Sequence, residues 1–407
     1  MRPIIAVQYL EPGPGVAKIT PAVARQRLRA AFARLPIEMV LLGWDLPQPL
    51  VSACAEEVAR SGAQLYRWHP LLTGDGSFIP RREWQTVGLG GEVVPGFRGM
   101  PEFTFVCPNR PAVQEKVLEH LAQCLKGGLY QGVFLDRIRF PSPAMDPGRW
   151  LACFCPECSR AAAATGLDLV EVRQRLNALS TSSSTSRELV AALLDPGRAS
   201  LGASSPAVGD LDLLASFLNF RTHSITQFLQ AASKVVRAAG VFLGLDCFAP
   251  VLTRMVGQGL GELAECSDWI KVMIYAHTFA PAGMPFELLG LIDWLVDWHA
   301  QEEAASMQTL VDATRLPLPG RRKALVESGL PPQTLAIELQ RARQMGSKVL
   351  LAGIELVELE GITSLSEAQL ADDLQAIKEV GADGLALSWD LWHIPLKYLE
   401  VVGEKWG

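Results

Sequence analysis

Short apolar runs of four to eight residues recur along this chain, separated by stretches whose apolar positions return every three to four residues. The first pattern predicts buried strands and the second amphipathic helices, so their alternation predicts strand-helix units and a parallel sheet. Eight strands are expected: 3–10, 37–44, 63–69, 131–136, 241–246, 269–275, 348–355 and 384–390. Helices are expected between them at 21–35, 50–61, 112–126, 211–239, 260–266, 286–313 followed by 332–345, 366–379, and 396–402. Eight such units close into an α/β (β/α)8 barrel. An open doubly wound sheet is the competing architecture, but no Gly-x-Gly-x-x-Gly follows the first strand to support it.

Three connections are too long for simple turns and read as decoration of one barrel end. They run over 71–109 after strand 3, 140–210 after strand 4 and 278–285 after strand 6. The chain is therefore expected to be a single barrel domain over 1–407, with a Cys-containing, Ser-rich insertion at about 140–210. Its tract Ser180-Thr181-Ser182-Ser183-Ser184-Thr185-Ser186 is expected to be a mobile surface loop.

Five of the apolar runs finish on a carboxylate: Asp45, Asp136, Asp246, Glu355 and Asp390. A buried acid is costly unless paired, so a ring of them at strand ends points to polar chemistry at the C-terminal mouth of the barrel. The competing reading of any one of them is a helix cap. Asp136 is followed by Arg137 and Arg139, either of which could hold it ionised, while Asp246 sits among Leu245, Cys247 and Phe248, apolar neighbours that raise a carboxyl pKa. Two carboxyl groups in such contrasted settings are what glycoside hydrolysis requires, with Asp136 as nucleophile or electrostatic stabiliser and Asp246 or Glu355 as general acid.

Aromatic residues cluster at the same ends: Tyr9, Trp44, Trp68, Tyr275, Trp389 and Trp392 offer flat apolar faces on which sugar rings stack. His69, His277 and His393 follow strands 3, 6 and 8, where they can bond sugar hydroxyls or anchor loops. Lys271, Met273 and Tyr275 share parity on strand 6, so Lys271 is expected to point into the barrel beneath the site. Asp45, Arg139 and Asp390 complete the expected binding set.

Composition narrows the partners. With 407 residues, 49% hydrophobic and 20% charged, the chain can bury a large core, and a net charge of −6 without a basic run argues against nucleic acid or anionic membrane. A carbohydrate substrate fits this balance, no cofactor is expected, and the oligomeric state is left open. The N-terminus enters a strand-like run at once, without a signal-peptide core, and no apolar segment reaches the roughly 18 residues of a membrane span. A cytoplasmic protein is expected.

A metal-dependent barrel hydrolase is the rival enzyme class, weakened by the lack of any His-x-His or His-x-x-x-His. No catalytic metal is therefore expected. Cys153, Cys155 and Cys158 put three thiols in six residues, but a structural zinc there would need a distant fourth ligand such as Cys107. The alternative is three reduced thiols packed in the insertion.

The strings Phe134-Leu135-Asp136-Arg137-Ile138-Arg139-Phe140-Pro141, Gly244-Leu245-Asp246-Cys247-Phe248-Ala249-Pro250 and Ser388-Trp389-Asp390, with the Cys-x-Cys-Pro-x-Cys insertion, resemble a group of bacterial glycoside-hydrolase-like barrel proteins. The resemblance spans strands 4 to 8 and implies a (β/α)8 fold with a carbohydrate ligand. Strand 4 lacks the Asn-Glu pair of the best-known retaining β-glycosidases. An Asp there is closer in layout to retaining α-glycosidases, which makes α-linkages the expected preference. A catalytically silent carbohydrate-binding barrel has the same fold, since a barrel alone does not dictate function.

Overall fold

A computed structural model describes residues 3–13, 15–195, 208–346 and 349–406. Eight parallel strands close into one barrel in chain order: β1 (Ile4–Tyr9), β2 (Met39–Leu42), β3 (Gln64–Pro70), β4 (Gly132–Asp136), β5 (Phe242–Phe248), β6 (Trp269–Met273), β7 (Leu350–Glu355) and β8 (Gly384–Ser388), which pairs back onto β1. The expected fold class is the observed one. Each predicted strand corresponds to an observed one, usually trimmed by one to three residues; Lys348, the expected start of the seventh, lies outside the described residues.

Because the strands are covered on both faces, they read as nearly continuous apolar runs. Side chains turned outward pack under the helices. Those turned inward, including Ala6, Leu41, Trp68, Phe134, Trp269, Leu351 and Ala386, fill the barrel as a separate apolar cluster. Two glycines make that filling possible by close approach. A Cβ on Gly244 would lie 2.1 Å from the Trp269 ring, and one on Gly353 would lie 2.5 Å from Cε of Lys271. The large side chains of β6 thus occupy space vacated on the strands to either side.

The first barrel helix, Pro21–Phe32, starts on a Thr20 cap with proline in its first turn, and Glu367–Val380 starts on a full capping box of Ser366 and Gln369. The predicted helix over 286–313 is divided: Met284–Asp293 runs into a π-helical turn at Trp294–Trp298, and Glu303–Thr314 follows.

The insertion after β4 is more ordered than its sequence suggests. It folds as Pro147–Trp150, Pro156–Ala163, Leu169–Thr181 and Ser186–Leu194; residues 196–207 of the expected insertion lie outside the described ones. The serine tract is a corner between two of these helices rather than a free surface loop. Ser180 and Ser186 are buried, and the hydroxyls of Ser180, Thr181, Thr185 and Ser186 bond carbonyls of the preceding turns, which satisfies the polar groups a serine run must otherwise expose. Among the described residues no helix is long and apolar enough to cross a membrane.

Candidate active site

A cavity of about 740 Å³ opens at the C-terminal mouth of the barrel. Strand ends supply its floor, with Gln8 from β1, Asp136 from β4, Asp246 from β5 and Met273 from β6. Its walls come from the loops, including Glu11, Trp44, Asp45, Phe78, Glu102, Phe103, Arg137, Tyr275 and Trp389.

Asp136 and Asp246 form the centre of the floor. β4 and β5 pair with Leu135 opposite Leu245, so the two aspartates stand side by side one step further on, at the strand ends. Asp136 accepts hydrogen bonds from Trp68 Nε1 at 3.1 Å and from the Arg137 backbone N–H at 2.5 Å. Arg137 takes a left-handed conformation, φ 54°, immediately after the strand. That turn brings its guanidinium back over the mouth, where it donates to Thr73 Oγ1, the Glu102 carbonyl and Glu11 Oε1, and lies 5.2 Å from the Trp44 ring and 4.7 Å from the Phe103 ring.

Asp246 is nearly sealed, and burial pushes its pKa up to about 7 against the opposing pull of Lys271. Lys271 is wholly buried inside the barrel, donating to Asp246 Oδ2 at 3.1 Å and to Gln8 Oε1 at 2.7 Å. The other oxygen of Asp246, Oδ1, has no protein partner.

Trp44 and Trp68 meet edge to face at 5.0 Å and, with Trp389 and Tyr275, give the cavity its aromatic surfaces. Arg139 also borders it, but its guanidinium is clamped between the Phe105 and Phe248 rings at 4.5 and 4.4 Å, leaving Arg137 as the cation nearer Asp136.

Several expected site residues do not line this cavity, among them Lys271, which stays buried inside the barrel. Tyr9 turns outward under the first helix and donates to the Ala24 carbonyl, because strand alternation gives the inward position to Gln8. His69 is buried beside Asp75 behind the wall. His277 bonds Asp373 at 3.0 Å. Glu355 is spent on the backbone N–H of His277, and burial raises its pKa to about 7. Asp390 accepts from the N–H groups of Leu10 at 2.8 Å, Glu11 at 3.1 Å and Trp392 at 2.9 Å, the helix-cap-like role weighed for such acids. Trp392 and His393 also lie off the cavity.

Two carboxylates of the cavity lining, Glu11 and Glu102, escaped the sequence reading. Glu11 stands two residues beyond β1, keeps 29% of its side chain exposed at the mouth, and has its pKa raised to about 7 by the surrounding protein despite Arg137. Its signal was an acid near a strand end, missed because only residues at the end itself were considered.

The structure also gathers His69, Asp75, His120 and Cys124 within 4.8 Å of one another, although no histidine pair has ligand spacing in the sequence. None of the four lines the cavity, and Arg67 lies 3.8 Å from Asp75, a cation already facing that carboxylate. This cluster gives no support to a catalytic metal at the barrel mouth.

No family model matches the chain, and no curated protein matches it by sequence. Solved structures match it in fold. The glycoside hydrolase domain of PgaB (BpsB) from Bordetella bronchiseptica aligns with a TM-score of 0.54 and 14% identity over 96% of this chain and 95% of that one. The barrel is of a kind found in glycoside hydrolases. A β-galactosidase from Marinomonas ef1 aligns at TM-score 0.58 and 11% identity, over 98% of this chain and 59% of that one. The α-L-fucosidase isoenzyme 2 of Paenibacillus thiaminolyticus aligns at 0.53 and 10%, over the whole of this chain and 49% of that one. The chain thus spans only about half to three-fifths of the length of the latter two.

Proposed function

We propose that this chain is a glycoside hydrolase acting on an oligosaccharide or glycoside, with Asp136 and Asp246 as its two working carboxyl groups. The observation that carries the reading is their side-by-side position on adjacent strands, opening on an aromatic-walled cavity. Asp246, its pKa raised to about 7, carries a proton in about half of the molecules at neutral pH and gives it to the leaving oxygen. The carboxylate left behind is stabilised by the Lys271 ammonium 3.1 Å away, so proton donation creates charge where a cation already waits. Asp136, oriented by Trp68 Nε1, faces the developing oxocarbenium ion as nucleophile or charge stabiliser. Trp389, the partly exposed tryptophan of the cavity, stacks a sugar ring.

The preference for α-linkages rests on Asp136 ending β4, since the fold neighbours carry names of both α- and β-linked substrates. A second reading makes Glu11 the proton donor, favoured by its greater exposure to the cavity and its own pKa near 7.

The test is turnover of a panel of aryl glycosides and oligosaccharides by the protein and by Asp136→Asn. Loss of about three orders of magnitude or more with the fold retained is expected. Near wild-type turnover by the variant would refute the assignment, and glycan binding without any hydrolysis would establish the silent barrel instead. Asp246→Asn should spare substrates with good leaving groups; if Glu11→Gln does so and Asp246→Asn does not, Glu11 is the acid.

A further inference from the structure

Cys107, Cys153, Cys155 and Cys158 converge from two separate insertions. The first lies on the long connection after β3, just ahead of the helix Pro111–Cys124, and the others lie in the insertion after β4 at the start of the helix Pro156–Ala163. All four are completely buried, and their sulfurs lie within 4.8 Å of one another. Cys107 Sγ is 3.4 Å from Cys158 Sγ and 3.6 Å from Cys155 Sγ, too far for a disulfide bond of about 2.05 Å. With zinc-sulfur bonds of about 2.3 Å, the edge of a tetrahedral four-thiolate site is about 3.8 Å.

Sulfur accepts from the Val87 backbone N–H at Cys153, 3.3 Å, from the Asn109 side-chain amide at Cys158, 3.3 Å, and from the Cys158 backbone N–H at Cys155, 3.5 Å. Beside the cluster Arg221 is wholly buried, with Nη1 donating to the Met255 carbonyl and with Nε and Nη2 partnerless. No carboxylate pairs with it among the described residues. A buried guanidinium is costly without an anion to answer it. A zinc ion with four thiolates carries a net charge of −2, and Arg221 stands where it offsets part of that charge.

We propose that Cys107, Cys153, Cys155 and Cys158 bind one zinc ion as a tetrahedral structural site that fastens the connection after β3 to the insertion after β4, with Arg221 as the charge-compensating neighbour. The site is closed, with no position for substrate, and its role is independent of any hydrolytic activity. Glu102 and Phe103, which wall the barrel-mouth cavity, lie only a few residues before Cys107. Zinc here therefore sets the position of one cavity wall.

The test is metal analysis of the purified full-length protein together with X-ray absorption at the zinc edge. One zinc per chain with four sulfur neighbours at about 2.3 Å is expected. Titration with a mercurial should release one zinc as four thiols react, and Cys107→Ser should lower zinc retention at least tenfold. If that variant is insoluble, Arg221→Met, which leaves every ligand in place, should still bind zinc but lose it faster to a chelator. Absence of metal, iron in place of zinc, or a shell containing nitrogen or oxygen would overturn the proposal, the last by pointing to the His69, Asp75, His120 and Cys124 cluster.

Discussion

Replacing Lys271 by Met removes the buried ammonium 3.1 Å from Asp246 while keeping an unbranched chain of similar length against Phe134 and Tyr275. Asp246 already has a folded-state pKa near 7, against 3.8 for a free side chain. A raised carboxyl pKa stabilises the fold fully below about pH 4, and that contribution is withdrawn as pH climbs to about 7. Without Lys271 the pKa rises further, so withdrawal continues above pH 7. Each additional pH unit over which the carboxyl must stay protonated costs about 1.4 kcal/mol relative to wild type. The variant should therefore lose roughly a further 2–3 kcal/mol of stability, relative to wild type, between pH 7 and pH 9. Between pH 5 and pH 7 the difference should stay flat. Equilibrium unfolding in urea at pH 5, 6, 7, 8 and 9 measures it. Adding Asp246→Asn to Lys271→Met should abolish the slope. A difference independent of pH would show that Asp246 and Lys271 are not electrostatically coupled as described.

Glu355→Gln should leave turnover within about threefold of wild type because Glu355 serves the His277 backbone outside the cavity; a loss above a hundredfold, measured on a confirmed substrate, would return it to the catalytic set. Asp390→Ala should cost about 2–4 kcal/mol in urea unfolding, since three buried N–H groups lose their acceptor, and unchanged stability would contradict that account. Trp389→Ala should raise KM for an oligosaccharide about tenfold with little change in kcat, by removing about 1.4 kcal/mol of stacking; equal losses in kcat would mean that the indole acts on the reacting bond.

The barrel was legible because strands buried on both faces write themselves as contiguous apolar runs, and the acids ending them marked the end at which the cavity opens. What one chain segment could not reveal was the loop that arrives to neutralise an acid. Asp136 and Asp390 look alike in sequence, each one residue from a tryptophan or arginine at a strand end. The approach of Leu10, 380 residues away, and of Glu11 adds two backbone donors to the local one that Trp392 gives Asp390. Tyr9 failed for a simpler reason: parity, which was used for Lys271, was not applied to β1, where a lone Gln8 among apolar residues signals the inward position. The fourth thiol, Cys107, was named only as a distant candidate because sequence separation hides what two long connections bring together.

The carbonyl oxygen of the Gln8 side chain has one consequence for how this protein comes into being. It accepts from Lys271 of β6 and from Ser388 Oγ of β8, while Asp390, just past β8, holds the backbone of Leu10 and Glu11. β1 therefore carries polar groups whose partners are made more than 250 residues later. Until β8 is released, β1 lacks its seam partner, Gln8 lacks the Ser388 hydroxyl, and the backbone of Leu10 and Glu11 lacks the Asp390 carboxylate. A nascent chain stalled after β7 could bury most of its core and still have an unfinished barrel mouth, so a formed cavity should arrive abruptly with β8 and Asp390 rather than grow with chain length.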